Sequence, residues 1–174
     1  VSVDQMVSTQ VGFFAQMTGK LTNRRYRGAT IFVDHFSRVR FIHLMQDSSS
    51  DETIKAKRAF EQFAADHGVK ITHYHCDNGR FKDSAFMQAC DEAQQRLTFC
   101  GVNAHFQNGI AERAIRDLSE SARKQLLHAR ARWPAAVHLA LWPYALRNAA
   151  LLFNTLPVLE GGSSRIELFS SIRV

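Results

Sequence analysis

The chain has 174 residues, 45% hydrophobic and 22% charged, the size and balance of one domain with a full core, and its 22 Lys and Arg against 16 Asp and Glu leave it at +6. No apolar run reaches the ~18 residues of a membrane span, and Val1 to Gln10 lack the basic and apolar regions of a secretory leader. Cys76, Cys90 and Cys100 form no C-x-x-C pair, so they are expected as reduced thiols of an intracellular protein rather than a disulfide scaffold.

Val1 to Asp4 alternates apolar and polar residues and predicts a short first strand ending at Asp4. A polar, basic stretch follows, with four cations and no acid between Lys20 and Arg27. Ala29 to Asp34 and Val39 to Met45 predict two strands joined as a hairpin by a turn in which Asp34 is expected to bond its own backbone. Ser49 answered by Glu52 reads as a capping box for a helix striped by Ile54, Ala56, Ala59, Phe60, Phe63 and Ala64, closed at His67-Gly68. Val69 to Cys76 predicts a strand stopped by Asp77-Asn78-Gly79. A helix over Ser84 to Gln95 and a strand over Leu97 to Cys100 follow. Ala111 to about Ala131 predicts one long helix; Pro134 fits the first turn of a second, and Pro143 the first turn of a third, reaching about Asn154. The order β-β-β-α-β-α-β-α-α-α implies an α/β domain whose mixed five-stranded sheet combines an antiparallel hairpin with parallel strands and is flanked by helices. Phe60, Phe63, Phe86 and Phe99 are expected in the core, and Trp133, Trp142 and Phe153 between the terminal helices.

The charge is clustered. Arg113 to Arg132 carries six cations (Arg113, Arg116, Arg123, Lys124, Arg130, Arg132) against Asp117 and Glu120, a polyanion footprint or simply a solvated helix face. Three acids occupy comparable places: Asp4 and Asp77 at strand ends and Glu112 in the first turn of the basic helix. Sites in α/β sheets collect at such places, so the three can converge. Carboxylates alone suit a hard cation such as Mg²⁺, and two such ions support displacement at phosphorus. An ordinary turn at Asp77-Asn78-Gly79 and a surface aspartate at Asp4 explain the same residues. His73, His75 and Cys76 do not make a zinc site, since alternation sends the cysteine to the opposite face.

Four stretches together resemble the catalytic core of retroelement integrases, the DDE recombinases with a ribonuclease H-like fold, and within them the copia-type branch. They are Val3-Asp4; Ile31-Phe-Val-Asp-His-Phe-Ser-Arg38; His75-Cys-Asp-Asn-Gly79; and Phe106-Gln-Asn-Gly-Ile-Ala-Glu-Arg113. The tail from Leu141-Trp-Pro to Phe153-Asn-Thr-Leu-Pro157 extends the likeness to nearly the whole chain.

The resemblance implies that Asp4, Asp77 and Glu112 are the catalytic and metal-binding triad, bridging two Mg²⁺ or Mn²⁺ ions, with His75 and Asn78 supporting the second aspartate. It implies DNA contacts from Asn108, Arg116, Arg123 and Lys124. Its activity would be integration of a retroelement by 3′-end processing and strand transfer on element ends and target DNA, in a homodimer or larger assembly and with no membrane role. The integration step would occur in the nucleus of a eukaryotic host, or in the cytoplasm otherwise. Residues 1–174 are expected as a single core, with the zinc-binding amino-terminal and basic carboxy-terminal domains of full-length integrases absent. Ser119 stands where the family's helix places a second cation, and His105 where the copia branch has proline; 34 residues rather than 35 separate Asp77 from Glu112. A ribonuclease H-like nuclease, or an inactive nucleic-acid- or protein-binding module, is the alternative.

Overall fold

The first strand, β1 (Ser2–Phe13), runs far past the predicted four residues in the computed structural model, which describes residues 1–15, 22–101 and 108–170. Its outer half shows no alternation, with Ser8, Thr9 and Gln10 in succession: the ladder to β2 (Arg25–Val33) passes over residues 8–11 and resumes at Gly12 and Phe13. That ladder is antiparallel and shifts register between Val7 and Gly12. Strand β2 takes Arg25-Tyr-Arg27 out of the basic stretch; Lys20 and Leu21 lie outside the described residues. It pairs antiparallel with β3 (Arg40–Met45), the predicted hairpin, around a turn where Asp34 Oδ2 accepts from the Phe36 and Ser37 amides.

Helix α1 (Ser50–Asp66) starts as expected, with Ser49 Oγ accepting from the Glu52 amide. The return half of the capping box is missing, since Glu52 instead accepts from the Gln46 amide and from Lys55 Nζ. Gly68 closes the helix at φ 72°, where only glycine is unstrained. Strand β4 is confined to His73–Cys76, shorter than Val69 to Cys76, because the Val69 amide bonds back to Ala64 and pairing begins at His73 on the β5 side and at His75 on the β1 side. Helix α2 (Ser84–Glu92) is capped by Asp83 and stops before Gln95, where Gln94 takes φ 53°. Strand β5 (Arg96–Phe99) then pairs parallel with β4.

Three helices complete the chain: α3 (Gly109–Arg132), α4 (Trp142–Thr155) and α5 (Arg165–Ser170). The helix expected at Pro134 does not form. The Ala136 and Val137 amides both turn back to the Trp133 carbonyl, and a single 3₁₀ turn, Leu139–Leu141, leads into α4, where Pro143 sits in the first turn. Short α5, which the sequence reading missed, carries the reciprocal capping box that α1 lacks: Ser164 Oγ accepts from the Glu167 amide, and Glu167 Oε2 from the Ser164 amide.

The sheet order is β3-β2-β1-β4-β5. On one face α1 and α2 bury Val3, Phe32, Phe60, Tyr74, Cys76 and Phe86, with Phe63 and Phe99 against them. On the other, Ile31, Val33, Ile42 and Leu44 meet Ala114, Leu118 and Ala122 of α3 and Leu146 and Ala149 of α4. Trp142 packs on this second core, whereas Trp133 is 57% exposed and packs little. Among the described residues no helix is long and apolar enough to cross a membrane.

Candidate active site

Residues paired across neighbouring strands share a face of the sheet. Asp4 pairs with Ile31, whose side chain belongs to the α3–α4 core, so Asp4 emerges under α3. Strands β1 and β4 run parallel with Ser2 opposite His75 and Val3 opposite Cys76. The next step along each chain is Asp4 and Asp77. There the ladder ends: β4 turns away and β1 continues. Asp4 therefore does not end its strand, as the alternation suggested, but marks the point where its neighbour leaves it. Backbones of adjacent strands are about 4.8 Å apart, which starts the two carboxylates side by side.

Local bonding holds each acid. Asp4 Oδ1 accepts from the Gln5 amide at 2.7 Å. The Asp77 carboxylate lies against Gly79, where an added Cβ would come within 2.9 Å of Oδ2. Asn78 Nδ2 donates to the Cys100 carbonyl, and the Cys100 amide to the Cys76 carbonyl, lashing the turn to the end of β5. The His75 ring meets Thr98 Oγ1 at 3.0 Å through Nδ1, and its Nε2 lies 3.6 Å from the Cys100 sulfur.

Helix α3 brings the third acid. Asn108, just ahead of it, is buried and donates from Nδ2 to the Val3 carbonyl at 3.1 Å, tying the helix start to β1 one residue before Asp4. Half-buried Glu112 lies four residues on, about one helical turn. The electrostatics agree with one shared neighbourhood: the Cys100 thiol is pushed up by burial and then by Asp77, with Glu112 and Asp4 adding.

The cluster is not closed. Among the described residues no three His, Cys, Asp or Glu side chains stand close enough to hold one ion together. Three carboxylates at one point repel one another, and only a cation's charge makes that approach favourable. The donor set nevertheless fits a hard cation: the acids offer oxygen ligands, and Asp77 Oδ1 is buried with no hydrogen-bond partner.

The expected DNA contacts divide. Arg116 and Arg123 are exposed on α3; Lys124 is also exposed but paired with Glu120 at 2.7 Å. Asn108 is 1% exposed, its side chain turned inward onto the Val3 carbonyl. His105, Phe106 and Gln107 lie outside the described residues. Sequence reading missed Gly79 and Cys100 as parts of this neighbourhood. Gly79 was visible only as a strand stop, and nothing local shows that its missing Cβ makes room for the preceding carboxylate.

No protein-family model matches the chain. It is 30% identical over 139 residues to a retrovirus-related Pol polyprotein from transposon RE1 of Arabidopsis thaliana; the match covers 79% of this chain and 9% of that polyprotein, so the chain spans about a tenth of its curated relative. Among solved structures, the HTLV-2 integrase catalytic core domain in complex with magnesium superposes with TM-score 0.64 at 21% identity, covering 97% of this chain and 93% of that one. The simian T-cell lymphotropic virus intasome, in complex with PP2A regulatory subunit B56 gamma, matches with TM-score 0.69 and 21% identity over 99% of this chain and 54% of that one. The BIV integrase catalytic core domain gives 0.64 at 17% identity, over 98% and 92%. The mixed sheet flanked by helices is the ribonuclease H-like fold of these cores.

Proposed function

We propose that this chain, which resembles retroelement integrase cores in both sequence and fold, is a polynucleotidyl transferase core in which Asp4, Asp77 and Glu112 hold two Mg²⁺ or Mn²⁺ ions. The observation that carries this reading is the register of β1 on β4, which sets Asp4 beside Asp77, with the Asn108–Val3 bond setting the first turn of α3 over them. Bound divalent cations would supply the charge that activates an attacking oxygen and offsets charge growing on the leaving one. The chain's own residues then do the rest. Gly79 and the Asn78–Cys100 bond keep the Asp77 carboxylate aimed, and Asn108 keeps Glu112 within reach. Arg116, Arg123 and Lys124 supply phosphate contacts that position DNA without reading its sequence.

In the proposed reaction a water oxygen first attacks a phosphodiester near the element's end. The freed 3′-OH then attacks a phosphodiester of target DNA, forming the new P–O bond as the bond to the target's own 3′-oxygen breaks and that oxygen leaves as a 3′-OH, in an assembly of at least two copies and, for a eukaryotic element, in the nucleus. No covalent enzyme intermediate is involved. Asp77→Asn should abolish metal-dependent strand transfer while DNA affinity stays near wild type, and Mn²⁺ titration by calorimetry should lose heat in Asp4→Asn. Unchanged joining in Asp77→Asn would reject the triad. Cleavage of RNA in RNA–DNA hybrids without joined DNA would reassign the chain to the ribonuclease H-like hydrolases.

A further inference from the structure

Beside the first turn of α3, on the side of the hairpin turn, lies a pocket of about 520 Å³ lined by four arginines, Arg38, Arg40, Arg113 and Arg165, with Phe153 and Gly109. Among the described residues its lining includes no acid.

Arg40 is 8% exposed. Its Nη2 donates to Asp117 Oδ2 at 2.8 Å, but its Nε is buried without a partner. Its guanidinium carbon stands 3.5 Å from the Phe153 ring centroid, and that of Arg165 only 3.8 Å from the same centroid. Arg40's backbone is clamped to Asn154 in both directions, which fixes the point from which its side chain enters the pocket. Guanidinium stays protonated even when burial and a second cation oppose it, so the pocket keeps a surplus of positive charge. Holding cations together in a partly buried place is costly unless an anion joins them. The start of α3 adds its own positive end, and Gly109 leaves it open, with nothing within 4 Å of where a Cβ would stand.

We propose that this arginine pocket binds a phosphate group, supplied either by a nucleic-acid backbone or by a soluble polyphosphate, at a site separate from the carboxylate cluster. Neither metal nor catalysis enters the inference. Arg113 follows Glu112 directly on α3, so a phosphate held here would sit on the adjoining face of the same helical turn.

Tripolyphosphate titrated into the whole chain at low salt, without divalent metal, should bind saturably. Arg38→Ala and Arg113→Ala, both exposed side chains, should each weaken it about tenfold, the worth of a charge-assisted bond. Arg58→Ala, an exposed cation on α1, should leave it within about twofold, the size of a nonspecific charge effect. A short DNA duplex forms the second arm. Weaker duplex binding in the two pocket variants, with a salt slope smaller by about 1, assigns the phosphate to a nucleic-acid strand. Unchanged duplex binding with lost tripolyphosphate binding assigns it to a soluble anion. Pocket variants that match Arg58→Ala in both arms overturn the proposal. Asp77→Asn should leave the tripolyphosphate arm untouched, which separates failure of this site from failure of the triad.

Discussion

Replacing Asn108 with alanine tests how the third acid is delivered. The bond from Nδ2 to the Val3 carbonyl spans 105 positions of sequence and lies in a fully buried place. Its loss leaves a buried carbonyl without a donor, a cost of about 1–3 kcal/mol. Part of that is returned, because Asn108 Oδ1 is itself buried without a partner and disappears with the side chain. The balance is a loss of about 1–2 kcal/mol, or about 2–8 °C of melting temperature for a domain of this size. Urea unfolding and thermal melts measure it. Strand transfer at saturating DNA should fall with it, since Glu112 loses its tether, while the affinity for DNA in the absence of metal stays unchanged. A variant of full stability and weakened DNA affinity would show that Asn108 is a contact to the nucleic acid and that something else seats the helix.

Two other expectations follow from the same geometry. Gly79→Ala places a Cβ 2.9 Å from Asp77 Oδ2 and must push that carboxylate aside, so calorimetry should find weaker Mn²⁺ binding in a folded protein. Gly109→Ala meets nothing within 4 Å and should hold Mn²⁺ normally, with stability unchanged or raised by up to about 1 kcal/mol; equal Mn²⁺ affinities in the two variants would refute the role of Gly79. Stability should also form a plateau in pH. Burial lowers the pKa of His43, His73 and His35, so below about pH 6.5 the unfolded chain takes up protons that the folded one resists, and stability declines as pH falls. Burial raises the thiols, Cys90 to about 11, so above about pH 8.5 the unfolded chain releases protons that the folded one retains, and stability declines again as pH climbs. Urea unfolding that stays flat from about pH 5 to 10 would contradict both signs.

Elements held by local chemistry were readable in the sequence. The hairpin with its Asp34 turn, the Ser49 start and Gly68 end of α1, and Pro143 in the first turn of α4 all stand where their residues placed them. Elements held by a neighbour were not. The far end of β1 is strand because β2 pairs again with Gly12 and Phe13, and β4 is short because its neighbours begin late. Pro134 suited a helix start locally, but the chain there turns on the Trp133 carbonyl instead. The same division runs through the site. Motif resemblance singled out Asp4, Asp77 and Glu112, yet what brings their backbones into one neighbourhood is a pairing register and a long-range amide bond. Similarly, the four arginines of the pocket are scattered over 128 positions, from Arg38 to Arg165, and only the fold of the hairpin turn, β3, α3 and α5 brings them together.

The parting of β1 from β4 has an evolutionary consequence. Two of the acids inherit their spacing from main-chain architecture, which any sequence able to build this sheet reproduces. The third rides on a helix, placed by the Asn108 bond and by the packing of Ala114, Leu118 and Ala122 on the sheet. Divergence should therefore be uneven: the pair on the strands can survive wholesale turnover of the surrounding residues, while the helix-borne acid is the one whose distance along the chain can drift and whose anchor must be reinvented when it does.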